Sequence, residues 1–100
     1  MLIATGYIHL SPADLTAFLD DMATFSSTTR ARDGCMFFAV APDHPQIGRL
    51  LVVERWRDQA ALTAHLAADD TKAFVESWQE RMRADLTKFD AANARALMAP

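Results

Sequence analysis

The residues able to do chemistry concentrate between Glu54 and His65. An imidazole titrates near 6.5, so His65 is a candidate general base or acid at neutral pH. As a helical residue it can equally be partly buried and bonded to a backbone carbonyl or to Glu54. Trp56 offers a flat apolar wall for an aromatic ligand and one N–H donor, or simple core packing. Glu54 stands in an apolar run with Leu50 and Val52. It can orient His65, or pair with an arginine of the opposite strand or of a partner chain. Phe18, Phe74 and Trp78 lie at helical spacings, where they either line a small-molecule pocket between helices and sheet or fill the core. Arg55 and Arg57 could hold a phenolate or carboxylate, or remain solvated at the end of a strand.

Other chemistries find no support in the residue pattern. No set of His, Cys and acidic residues has metal-ligand spacing, and His9 and His44 stand alone. No Gly-rich phosphate loop or dinucleotide fingerprint is present, so no bound metal, flavin or nicotinamide is expected. Cys35 is the one cysteine, which excludes an internal disulfide and fits a reducing cytoplasm. The net charge is −3 and the ten basic residues are scattered, so no nucleic-acid footprint exists. No apolar run approaches the roughly 20 residues that span a bilayer, and MLIATGYIHL lacks the features of a signal peptide. The length of 100 residues suits one domain spanning 1–100.

The elements that must position these residues follow from periodicity. Leu2 to Leu10 alternates as a strand. Ser11-Pro12 starts a helix carrying Leu15, Phe18, Leu19, Met22 and Phe25. The Ser- and Thr-rich stretch from Ser26 to Asp33 predicts a second short helix or an irregular turn, closed by Gly34. Cys35 to Ala41 and Arg49 to Arg57 predict strands joined as a hairpin through Pro42, Pro45 and Gly48. Asp58 is a good N-cap for a helix to Ala67, with Leu62, His65 and Leu66 on one face that turns back to the sheet. Asp69-Asp70 opens another helix with Phe74, Trp78 and Met82 four apart. Asp85 to Ala91 is the last strand, and the Ala-rich tail adds at most a helical turn.

Strand, helices, strand, strand, helices, strand is the ferredoxin-like α+β pattern: an antiparallel sheet with helices on one face. The second and third strands are apolar on both faces, whereas helices cover only one. A second copy of the same sheet is the economical cover for the other.

The arrangement E-x-W-x-D-x-x-A-L-x-x-H (Glu54, Trp56, Asp58, Ala61, Leu62, His65), with Gly34-Cys35 before it and Phe74 after it, resembles the antibiotic-biosynthesis monooxygenase (ABM) family. The resemblance implies a dimeric α+β barrel, hence a homodimer. Some members oxygenate small aromatic phenols or quinols without metal or flavin, the deprotonated substrate itself reducing oxygen. Such chemistry needs a dry aromatic cavity, a base and a donor for the developing anion. His65 as base or proton shuttle and Trp56 as wall and donor would fill those roles. A non-catalytic, ligand-binding member of the fold is the alternative. A haem-degrading branch uses an Asn on the first strand, a Trp on the helix that here carries His65, and a His on the next helix. This chain departs from all three, since its one Asn is Asn93, and no haem is expected.

Overall fold

The computed structural model describes residues 1–100. Its elements are β1 (Leu2–Leu10), a 3-10 turn (Pro12–Asp14), α1 (Leu15–Arg30), β2 (Cys35–His44), a second 3-10 turn (Pro45–Ile47), β3 (Arg49–Trp56), α2 (Gln59–Ala67), α3 (Asp69–Trp78) and β4 (Met82–Asp90). The strands form one antiparallel sheet in the order β2-β3-β1-β4, which is the ferredoxin-like arrangement expected. Even-numbered residues of β1 and β3 face the helices: Leu2, Ala4, Ile8, Leu10, Leu50, Val52, Glu54 and Trp56 are all buried. Phe18, Met22, Leu62 and Trp78 from the helices close over them.

Three expectations are corrected. The stretch after Phe25 forms no second helix or irregular turn; α1 continues to Arg30. Ser26 and Thr29 extend the Phe18–Met22 stripe at helical spacing and are buried against the sheet. Small hydroxyl residues fit where the helix lies close to the strands, so tertiary packing outweighs their weak helix propensity. Arg30 then anchors the helix end, its Nε donating to the Phe38 carbonyl at 2.9 Å. Secondly, α3 stops at Trp78, and Met82 opens β4 instead of continuing the helical stripe. The last strand thus begins before Asp85, held along its length by pairing from Leu10↔Met82 to Leu2↔Asp90. Thirdly, the buried face of α2 is Ala61, Leu62 and His65, whereas Leu66 is 57% exposed. A face centred between Leu62 and His65 leaves Leu66 on its flank.

Opposite the helices, the sheet face is open and largely apolar. Register places Phe37, Arg55, Ile3 and Phe89 in one row and Ala41, Leu51, Tyr7 and Asp85 in another. Phe37, Leu51, Tyr7 and Phe89 are all exposed. The guanidinium of Arg55 lies over the Phe37 ring at 5.1 Å, and that of Arg49 over Tyr7 at 4.9 Å.

Candidate functional site

Three local features build the site. Glu54 and Trp56 are two residues apart on β3 and therefore share its helix-facing side. Asp58 is extended (φ −160°, ψ 175°) and its Oδ1 accepts from the Ala61 amide at 2.9 Å, so α2 starts almost at once after the strand. His65 lies in the last turn of that helix. The turn preceding β2 is tied to the same place, because the Arg57 amide donates to the Gly34 carbonyl at 2.8 Å. Gly34 has φ 81°, and a Cβ there would lie 2.4 Å from the Ala61 methyl. Only glycine lets the loop approach the helix so closely.

The outcome is an aromatic cage around an imidazole. The His65 ring stacks on Trp56 with centroids 4.7 Å apart and planes 29° apart. Phe25 and Phe38 complete it at 5.6 and 6.0 Å. His65 is 4% exposed. The Trp56 indole N–H donates to Glu54 Oε1 at 2.9 Å. Glu54 therefore satisfies the indole, makes no hydrogen bond to His65, and pairs with no arginine of its own chain. The His65 Nδ1 is buried without a hydrogen-bond partner in the protein; such a group costs about 1–3 kcal/mol if left unpaired.

Burial sets the charge states. It lowers the His65 pKa from 6.5 to about 4, helped by the Arg32 guanidinium and opposed by Asp70. The imidazole is thus neutral at pH 7, and burial makes it a weaker base than a free imidazole. Burial raises the Glu54 pKa above its ordinary value, and the hydrogen bond from Trp56 partly offsets this. Arg32 is paired with Asp70 at the start of α3, while its Nε is buried without a partner. Arg57 forks onto Asp33 through two bonds of 3.0 Å and also reaches Asp58. Asp33 holds the guanidinium firmly protonated. A cleft of about 370 Å³ opens here, bounded by Arg32, Asp33, Arg57, the Ala60, Ala61 and Ala64 side of α2, and His65.

The three remaining aromatic candidates divide. Phe18 and Trp78 are 0% and 2% exposed and belong to the core, packed edge to face with ring centroids 5.1 Å apart. The Trp78 indole donates to Asp21 at 2.9 Å. Phe74 stacks on Phe25 at 4.8 Å and lines a groove of about 410 Å³ between α1 and α3. Through Phe25 it touches the cage edge; Phe18 and Trp78 make no ring contact with His65. Arg55 lies on the opposite sheet face, away from Arg57. Sequence reasoning missed Arg32 and Asp33, which sit in a polar stretch with no recognisable spacing to His65. No group of three or more His, Cys, Asp or Glu side chains is placed to hold a metal ion. No helix is long and apolar enough to cross a membrane.

Comparison with known proteins agrees with this architecture. The model of a family described as antibiotic biosynthesis monooxygenase matches residues 1–77. The chain is similar to a Bacillus subtilis (strain 168) protein named "Putative monooxygenase YcnE", 23% identical over 86 residues that cover 86% of this chain and 90% of the relative. It superposes on the crystal structure of a protein from Deinococcus radiodurans titled a putative antibiotic biosynthesis monooxygenase. The TM-score is 0.87 at 24% identity, over 99% of this chain and 100% of the other. The crystal structure of PA3566 from Pseudomonas aeruginosa superposes with a TM-score of 0.80 at 19% identity, covering 92% and 94% of the two chains.

Proposed function

We propose that this chain, which belongs to the antibiotic biosynthesis monooxygenase family, is a cofactor-independent monooxygenase of a small aromatic phenol or quinol. The observation that supports this most is the caged imidazole: neutral at pH 7, stacked on Trp56, and holding a buried Nδ1 that has no protein partner. In this reading a phenolic hydroxyl gives its proton to His65. The electron-rich anion then reduces molecular oxygen; one oxygen atom stays on the ring of a product oxidised to the quinone level, and the other leaves as water with two hydrogens from the substrate, which supplies all the electrons. The aromatic side chains exclude water from the reacting carbon. Trp56 is fully buried and backs the His65 ring; its N–H is taken by Glu54 and is not free to donate to the anion. We also propose that two copies associate through the open sheet faces, covering Phe37, Leu51, Tyr7 and Phe89.

The test is oxygen uptake with a panel of hydroquinones and anthrones. His65→Ala is expected to lower turnover by roughly 10²- to 10⁴-fold, the usual contribution of a general base. His65→Gln keeps a hydrogen-bonding side chain but cannot titrate near neutrality, and should be similarly slow. Folded variants that turn over at the wild-type rate would remove His65 from the reaction. Failure of every panel member to consume oxygen with wild-type protein would count against the activity itself.

A further inference from the structure

After Asp90 the chain leaves the sheet. Its last backbone hydrogen bond to the domain is the Ala91 amide donating to the Met1 carbonyl at 2.9 Å, and every residue from Ala92 to Pro100 is exposed. The segment is nevertheless shaped. Asn93 takes the left-handed region at φ 59°. The Arg95 guanidinium donates back to the Asn93 carbonyl at 3.0 Å. The Ala99 amide donates to the Ala96 carbonyl at 3.0 Å and closes a β-turn. At the centre of that turn stand Leu97 and Met98, 95% and 91% exposed. Turn centres favour Gly, Pro, Asn, Asp or Ser, so two large apolar side chains held out at a turn tip are placed for contact. The projection lengthens the molecule: the radius of gyration is 14.2 Å and the longest extent 44 Å, where 100 compactly packed residues give about 13 Å. The superposition on the Deinococcus radiodurans crystal structure spans 99% of the chain and so takes in this segment.

We infer that residues 91–100 form an arm that docks on a second copy of this chain, with Leu97 and Met98 seated in the hollow at the β2 edge of that copy. The hollow, of about 380 Å³, is bounded by Arg30, Cys35, Met36, Phe37 and Phe38. It opens where β2 bulges: Cys35 pairs with Trp56 and Phe37 with Arg55, which leaves Met36 unpaired and 52% exposed beside Phe37. Register puts the root of the arm and the hollow at the same end of the sheet, on opposite edges, through Asp90↔Leu2↔Trp56↔Cys35. Three strand spacings separate them, about 14–15 Å. The inference rests on the association of open sheet faces proposed above and adds how the copies are oriented. A twofold axis parallel to the strands lays the β4 edge of each copy beside the β2 edge of the other and keeps the sheet ends in step. An axis across the strands would carry the arm, with Arg95, to the end of the other sheet where Arg49 and Arg83 flank His9, like charge against like. To reach its own hollow, an arm would have to cross the face that the second copy covers. The thioether of Met98 suits an irregular gap beside an aromatic ring such as that of Phe37.

Cys35 lines the hollow and is the one cysteine of the chain, which makes it the probe. Met98→Cys, mildly oxidised at micromolar concentration, is expected to give a covalent dimer of twice the 11.1 kDa chain mass, and adding Cys35→Ser should abolish it. A disulfide within one chain would show the arm folded on its own copy. A covalent dimer that survives Cys35→Ser would show tip meeting tip. Either result overturns the inference, and so does the absence of any crosslink. Sedimentation supplies a second measure. Leu97→Asp combined with Met98→Asp is expected to raise the dissociation constant of the dimer by roughly 100-fold, the worth of two apolar side chains losing their burial. Both positions are exposed within the chain, so each copy stays folded. An unchanged dissociation constant in that variant overturns the arm and leaves the association of sheet faces; a monomeric wild type removes the association and the arm with it.

Discussion

A histidine that is 4% exposed and stacked on an indole must fold in its neutral form. Its pKa is about 4 in the folded chain against an ordinary 6.5. Between those values the unfolded chain binds a proton that the folded chain refuses. Stability is therefore complete above about pH 6.5 and falls as the pH drops toward 4, by roughly 3 kcal/mol in all. Glu54 works in the opposite sense: its raised pKa means that protonation favours the folded chain as the pH falls, so it cannot cause this loss. The carboxylates of Asp33, Asp58 and Asp70 have lowered pKa values and withdraw their contribution only at more acid pH. Urea unfolding of wild type and His65→Gln at about pH 7 and about pH 5 checks the assignment. The wild type should lose stability over that interval and the variant much less; equal losses would place the titration elsewhere.

At the scale of elements, the site depends on how closely the turn before β2 approaches α2. Gly34 combines a left-handed φ of 81° with a Cβ position 2.4 Å from the Ala61 methyl. Gly34→Ala therefore has to strain the turn, displace α2, or both. A loss of about 1–3 kcal/mol is expected, and the displacement should loosen the His65–Trp56 stack. Chemical denaturation gives the first quantity, and the tryptophan fluorescence of the folded variant reports the second. An unchanged midpoint would show that the turn relaxes without cost. Gly34 was legible as punctuation in the sequence, and Asp58 as a helix cap. The length of α1 was not, because Ser26 and Thr29 look like helix breakers until the sheet they pack against is known. Met82 misled in the opposite way: it continues a four-residue spacing from Phe74 and Trp78, but β1 offers its backbone a strand partner.

For the molecule as a whole, the unequal sheet faces dominate. One side holds the core, with Trp56, Phe18 and Leu50 fully buried. On the other, Phe37 is 43%, Leu51 41% and Phe89 53% exposed, large apolar side chains gathered on one open face. The proposed dimer should appear in light scattering as twice the 11.1 kDa chain mass at micromolar concentration. A stable interface of this kind buries on the order of 2,000 Å² of total surface. Leu51→Arg, placed beside Tyr7 in the middle of the open face, should convert the species to monomer without unfolding it. A wild-type monomer would refute the association directly.

Read alone, the sequence determined the architecture: the alternation of Leu2 to Leu10, the helical stripe from Leu15, the hairpin turned at Pro45 and Gly48 (although β2 runs on through Pro42 to His44), and the strand-to-helix passage through Asp58 all act over short distances along the chain. It also marked Glu54, Trp56 and His65 as neighbours, because periods of two on a strand and three to four on a helix decide which side chains share a face. What those neighbours do to one another was decided only in three dimensions. Glu54 bonds the indole, not the imidazole, since two residues on one strand face meet before a helix can interpose. Phe18 and Trp78 went to the core while Phe74 reached a groove, a division set by which helix covers which strand. Arg32 carries no local signal at all. It lies 33 positions before His65 in the sequence and becomes its electrostatic neighbour only because the fold brings the turn after α1 beside the end of α2.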